Sequence, residues 1–308
     1  MPSGRFAPSP SGRLHLGNLR TALVAWLYAR HDDSPFHLRF DDLDPENVRS
    51  EHYQTQADDL QAIGLDWDDP PLRQSERRGA YDDMVATLVD ADLVYPCYCS
   101  RREIREAASA PNQPLAGHAY PGTCRHLGRQ ARAQHEQGGR RPALRLRTEG
   151  ETVPFDDLIA GRVGFEIDDF VVERNDGTPA YHLVTIVDDD FLDIQTVVRA
   201  NDLLDSTSRQ LYLARMLGLP ERTHAHVGLV LSPGGERLAK RHGAVTLDDR
   251  TRRSQQPAEV LAMLAASIGF SRPGETLTPG ELLDRFDPTP QAGHPLTEPL
   301  VLSEEFLA

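Results

Sequence analysis

Lysine is almost absent from this sequence. Of its 33 lysine and arginine residues only Lys240 is a lysine. A pressure that removed every other lysine and spared this one points to a position that needs a compact, flexible ammonium rather than a planar guanidinium. Cysteine is nearly as scarce. Three residues make an odd set, and Cys97 and Cys99 are separated by one position, so a disulfide framework is a poor account of them and a metal site a better one. No stretch approaches the roughly 18 uninterrupted apolar residues of a membrane span. The opening Met1-Pro2-Ser3-Gly4-Arg5 lacks the basic-then-apolar order of a secretion signal. A cytoplasmic protein without a membrane partner is expected. Positive charge is also in deficit, with a net charge of −14, and such repulsion opposes a nucleic-acid partner. The deficit is uneven. Arg125, Arg129, Arg132, Arg140, Arg141, Arg145 and Arg147 face only Glu136 within their run, enough for a local basic surface, although a solvated face without a ligand explains that run equally well.

What is present is a folded core. With 308 residues and 39% apolar content, the chain can build two packed units or one large unit with an insertion. Gly4 to Gly12 reads as a short strand running into a Pro/Gly loop. Leu16, Leu19, Leu23, Trp26 and Leu27 then recur at helical spacing across Leu14 to Arg30. Phe36 to Phe40 alternates as a strand and His52 to Gly64 is helical again, so strand and helix alternate as in parallel βαβ construction. Tyr81 to Val94 is helical up to the Cys97-Tyr98-Cys99 turn. Residues 95 to 145, poor in apolar side chains, look like an insertion that needs a staple. Asp169 to Arg174 with the Asn175-Asp176-Gly177 turn suggests a hairpin. Ala180 to Val187 fits helix or strand. Thr196 to Arg199 is a short strand leading into a helix over Leu203 to Leu217 capped by Gly218. The last 60 or so residues show one helix, Pro257 to Ile268.

Two constellations carry chemistry. His15-Leu16-Gly17-Asn18 follows Pro8-Ser9-Pro10-Ser11-Gly12, so a glycine in the first helical turn lets a flat base approach the backbone, while the helix start and a histidine offer positive charge to a phosphate. By itself this is matched by a plain helix start with a surface histidine. Cys97-x-Cys99 and Cys124 supply three thiolates, which one further donor completes to tetrahedral zinc, and a closed set of four means a structural role. His118 and His126 are the commoner donor types nearby.

The string Gly4-Arg5-Phe6-Ala7-Pro8-Ser9-Pro10-Ser11-Gly12-Arg13-Leu14-His15-Leu16-Gly17-Asn18 resembles the opening of the class I glutamyl-tRNA synthetases. Leu38 to Asp44, Ala180 to Asp189 and Val198 to Asp202 resemble three further segments of that family. Glu236-Arg237-Leu238-Ala239-Lys240-Arg241 stands where the family carries its Lys-Met-Ser-Lys-Ser loop, with Arg237 at its first lysine and Ala239 at its serine. The likeness covers about residues 4 to 245. It implies an α/β fold: a Rossmann-like catalytic domain with a parallel sheet (1–94 and 148–215), a zinc-binding insertion (95–147), and the lysine loop with a short helical C-terminal region (216–308). The chain runs about 60 residues past the lysine loop, so no anticodon-binding domain is expected, and neither is an oligomer.

The same resemblance assigns the site. It implies that Arg5 and Arg199 hold the side-chain carboxylate of L-glutamate, with Ala7, Ser9, Tyr181 and Asp41 completing the pocket. Asp41 is one methylene shorter than the family's glutamate and would accept from the α-ammonium. Pro8, His15, Gly17, Asn18 and Lys240 would bind ATP with Mg2+, and His15 and Lys240 would act on the phosphates. Tyr120 would join the three cysteines on zinc. Asp42 and Asp44 could instead cap the following segment. Within the family the likeness is to the short branch that transfers glutamate to the queuosine base of tRNA(Asp). A truncated enzyme charging the 3′ end of tRNA(Glu), an RNA-independent adenylate-forming ligase and an inactive binding module are the alternatives.

Overall fold

The computed structural model describes residues 3–108, 120–236, 245–289 and 294–302. β1 (Gly4–Phe6) enters the Pro/Gly loop, α1 (Leu16–His31) follows, and β2 (Phe36–Phe40) returns parallel to β1. α2 (Glu51–Ala62) leads to β3 (Leu72–Arg73), parallel to β2. A short 3-10 turn and α3 (Arg78–Asp90) come next, then β4 (Val94–Cys97), α4 (Arg101–Ala108), α5 (Arg129–Gln137) and β5 (Ala143–Leu146). β6 (Thr152–Asp157) and β7 (Gly161–Glu166) form a hairpin, followed by β8 (Val171–Glu173), α6 (Tyr181–Phe191), β9 (Thr196–Ala200), α7 (Leu204–Leu217) and β10 (Thr223–Val227). β11 (Val230–Leu231), α8 (Leu247–Arg252), α9 (Pro257–Ser267), α10 (Pro279–Leu283) and β12 (Leu300–Val301) complete the chain.

The strands order as β3-β2-β1 and β9-β10-β6-β7, and the parallel bridge between Ser3 and Ile194 joins the two sets edge to edge. Only β6–β7 is antiparallel. The C-terminal ends of β1, β2 and β9 therefore open on one side, where an open parallel sheet binds ligands.

α1 explains the core. Eleven of its sixteen residues are buried, because it lies between β1 and β9 on one side and α9 and α10 on the other. A helix covered on both sides must be apolar nearly all round. Its one buried cation, Arg20, is stitched to the carbonyls of Gly228, Ser267 and Pro295.

Several expectations hold. α7 ends at Gly218, whose φ of 67° is the left-handed cap, and the undecided segment after Ala180 is a helix. Others need correction. The helix read through to Val94 stops at Asp90, and Asp92 at φ 54° turns the chain into β4. The Asp169 to Arg174 hairpin is one-sided. β8 pairs with β5, while the return strand is a single bridge from Glu173 to Pro179. β4, β5 and β8 form one antiparallel sheet, which continues across the boundary placed at 147. Where one helix is expected in about the last 60 residues, the described residues from 245 onward hold three. α8 and α10 begin at Thr246 and Thr278, each in a capping box with an acid three residues on.

Candidate active site

A cleft of about 1780 Å³ opens over the strand ends. Arg5, Ala7, Pro8, Ser9, Asn18, Asp41, Tyr181 and Arg199 line it, as do Cys97 and Cys99 at its far end. The glutamate residues read from the sequence therefore share one cavity. His15 and Gly17 stand just outside its lining.

Beneath the cleft lies a buried ion network that the sequence did not reveal. Arg5 is 4% exposed and sets its Nε and Nη2 on the two carboxylate oxygens of Asp189, at 3.0 and 3.2 Å. Arg39, 1% exposed, reaches Asp189 at 2.8 Å and Asp41 at 2.7 Å. Asp188 receives Arg77, the amide of Gln74 and the hydroxyl of Tyr81. Three guanidinium groups meet three carboxylates, as burial of charge demands. Against the cost of burial, Arg5 and Arg39 hold Asp189 below the ordinary carboxylate range. Burial pushes Asp41 up despite Arg39. Its place beside Arg39 is consistent with a shorter side chain that still reaches the cleft wall.

Arg199 is different. It is 6% exposed, yet among the described residues its hydrogen-bond partners are neutral: Nε2 of His226 at 3.0 Å, the Tyr181 hydroxyl at 3.2 Å, the Leu203 carbonyl at 3.3 Å and the Thr207 hydroxyl at 2.7 Å. Burial, with like charge from Arg5, draws its pKa down. A buried cation without a bonded carboxylate is the signature of a site that expects an anion.

On the nucleotide side, His15 is the N-cap of α1. Its Nδ1 accepts from the Asn18 N–H at 3.1 Å, and Asn18 Oδ1 accepts from the His15 N–H at 3.2 Å. A Cβ on Gly17 would lie 3.0 Å from the His15 ring, so this glycine is needed for the histidine as much as for any base. Gln56, buried on α2, donates to the carbonyls of Ser9 and Gly12 and holds the Pro/Gly loop. Lys240, with Arg237, Ala239, Arg241 and Gly243, lies outside the described residues. The segment that follows it is fixed: the Leu16 N–H donates to the Val245 carbonyl at 3.0 Å, and His15 bridges to Thr246. The start of the candidate ATP helix and the root of the lysine loop are thus joined. Asp42 and Asp44 do not cap α2. Asp42 accepts from Ser75 and Tyr53, and Asp44 from Asn47.

At the far end, one donor atom from each of Cys97, Cys99 and Cys124 lies within 4.8 Å of the others, with no histidine among them, so His126 is not a member; His118 lies outside the described residues. The Tyr120 oxygen is 3.3 Å from Cys97 Sγ and 3.8 Å from Cys99 Sγ. Four donors converge, as tetrahedral zinc requires. The Arg145 guanidinium lies over the Tyr120 ring, 3.8 Å from its centre, a cation–π contact that fixes the ring. The arginine run is largely committed elsewhere. Arg125 pairs with Asp169 and Glu149, Arg140 with Glu103, and Arg145 and Arg147 stack on tyrosines. The basic surface is correspondingly smaller than the sequence suggested.

Two histidines give a pH prediction. Burial pushes His224 and the cleft-wall His182 down to about 3. A depressed histidine contributes stability that is complete above the unfolded value near 6.5 and is lost as pH falls toward the folded value. Asp59, pushed up to about 6 by burial, acts oppositely only below that pH. The unfolding free energy is expected to drop by about 1–2 kcal/mol between pH 7.5 and 6. Urea titrations at the two pH values check this, and equal midpoints contradict it.

Comparison with known proteins agrees with the geometry. The family model for tRNA synthetases class I (E and Q), catalytic domain, matches residues 3–288. The glutamyl-Q tRNA(Asp) synthetase of Nocardia farcinica is 53% identical over 93% of this chain and 89% of its own. That of Symbiobacterium thermophilum is 45% identical over 92% of each. The glutamate–tRNA ligase of Aquifex aeolicus is 37% identical over 92% of this chain but 61% of its own. The crystal structure of the glutamate-tRNA synthetase from Elizabethkingia anophelis superimposes with a TM-score of 0.81 at 25% identity, over 98% of this chain and 68% of that one. Among the described residues no helix is long and apolar enough to cross a membrane. With a parallel sheet, a shared arginine-lined cleft and a family match over nearly its whole length, the chain belongs to the class I tRNA synthetases of the glutamate and glutamine group.

Proposed function

We propose that this chain activates L-glutamate with ATP and transfers the glutamyl group to the queuosine base of tRNA(Asp). The observation that carries the first half is Arg199, a buried guanidinium on neutral partners that lines one cleft with Arg5 and Asp41. Glutamate's side-chain carboxylate completes Arg199, and its ammonium faces Asp41. An oxygen of its α-carboxylate attacks the α-phosphorus of ATP, and the bond to pyrophosphate breaks. Negative charge grows on the phosphates, so the protein's task is positioning and electrostatic stabilisation. His15, at the start of α1, and Lys240 serve it, and magnesium on the triphosphate supplies further positive charge. A hydroxyl of the acceptor then attacks the glutamyl carbonyl and AMP leaves. The names of the relatives from Nocardia farcinica and Symbiobacterium thermophilum support the acceptor.

Labelled pyrophosphate should exchange into ATP with glutamate and not with glutamine. Labelled glutamate should reach tRNA(Asp) that carries queuosine and not the same tRNA without it. Transfer to the 3′ end of tRNA(Glu) instead would establish the truncated-ligase alternative and remove the queuosine reading.

Cys97, Cys99, Cys124 and Tyr120 are proposed to hold one structural zinc, which would fasten β4 to the loop after residue 119. Metal analysis should return about one zinc per chain in the wild type and almost none in Cys99→Ser, whose melting temperature falls. A wild-type protein free of metal at full activity contradicts this.

A further inference from the structure

We propose that His226 is a positioning residue for the glutamate side chain: a neutral imidazole that fixes the Arg199 guanidinium by accepting from it, without cancelling its charge. This rests on the glutamate reading above. A buried guanidinium must be held by acceptors, and the cleft contains two solutions to that need. Arg5 is gripped by the Asp189 carboxylate, which neutralises it. Arg199 is gripped by an imidazole.

The arrangement follows from the sheet. Arg199 on β9 lies in register with His226 on β10, and Asp157 ends β6 on the other side of β10. Three neighbouring parallel strands thus line up guanidinium, imidazole and carboxylate. His226 Nδ1 is 2.6 Å from Asp157 Oδ2, and neither side chain is exposed. The other oxygen of Asp157 accepts the backbone N–H groups of Ile159, Ala160 and His226. The carboxylate is therefore locked and sets the tautomer: Nδ1 carries the proton toward Asp157, and the Nε2 lone pair faces Arg199 Nε. Burial, and then the positive charge of Arg199, keep the ring neutral. Asp157 thereby steadies Arg199 from one imidazole away, and the cation retains its charge for an anionic substrate.

Two variants separate this role from packing. His226→Leu fills the space without an acceptor, whereas His226→Gln places an amide oxygen near the Nε2 position. For His226→Leu the glutamate KM in pyrophosphate exchange is expected to rise at least 30-fold, with the ATP KM within twofold and kcat at saturating glutamate within threefold. His226→Gln should restore the glutamate KM to within fivefold of wild type. A wild-type glutamate KM in His226→Leu overturns the proposal. So do equal rises in both KM values that glutamine does not rescue, which mark general damage. If His226→Leu does not fold, nitrogen NMR of the wild-type imidazoles, assigned with His226→Gln, decides. A neutral ring protonated on Nδ1 at pH 7.5 is expected, and an imidazolium or an Nε2–H tautomer overturns the proposal. A wild-type enzyme without glutamate-dependent exchange removes the parent reading before any variant is made.

Discussion

Arg199→Met should raise the glutamate KM by two to three orders of magnitude while the free protein melts no lower than wild type. Removing one partner of a buried charge pair costs about 2–5 kcal/mol of binding, which is roughly 30-fold to several thousand-fold in affinity. The unchanged stability is the sharper half of the expectation. In the unliganded protein Arg199 is a buried cation held by a histidine, two hydroxyls and a carbonyl. Replacing such a charge by an apolar side chain of similar length relieves a desolvation cost. Exchange kinetics and a thermal melt on the same preparation test both halves. A melting temperature several degrees lower, with glutamate KM untouched, would assign Arg199 to the scaffold and empty the proposed pocket of its main contact.

The opposite behaviour is expected at Arg39, in the lining of the same cleft. Arg39 contacts Asp41, Asp188 and Asp189 at 2.7, 3.8 and 2.8 Å and is 1% exposed. Arg39→Met leaves those carboxylates with too few cations, a loss of about 3–5 kcal/mol against a total stability of about 5–15 kcal/mol. The melting temperature should drop by about 10 °C, with much of the protein insoluble. Asp189→Asn combined with Arg39→Met should cost less than the sum of the two single changes, because both act on one network. Simple additivity, or an Arg39→Met protein as stable as wild type, would show that the network is not coupled. Two arginines of one pocket thus sort into substrate holder and scaffold by their partners.

Residue type and order made part of this legible. The Pro/Gly loop and the helix after it and the cysteine spacing could be read directly, because each is a local pattern or a rare residue in a marked place, whereas Arg5 and Arg199 are singled out only by the family resemblance. The partners of those arginines could not. Asp188 and Asp189 look like part of an acidic helix end, and their cations come from residues 5, 39 and 77. One signal was available: Asp188 and Asp189 follow Leu183, Val184 and Val187 on the same short helix, and acids in so apolar a setting are buried only with cations. Asp157 and His226 carried no comparable mark. They are 69 positions apart and meet only because β6 and β10 are neighbours. The arginine run erred in the other direction, since spacing along the chain does not show that Arg125 and Arg140 already have acidic partners.

The parallel alignment of β9 with β10, which sets Arg199 opposite His226, makes strand register a condition for the proposed pocket. A slip of one residue would turn His226 to the other face of the sheet and strand the guanidinium. On the proposed glutamate reading, a misaligned sheet would fail to take up the amino acid, and glutamate would draw the population toward the correctly threaded form by mass action. The substrate would thus select for the native strand register.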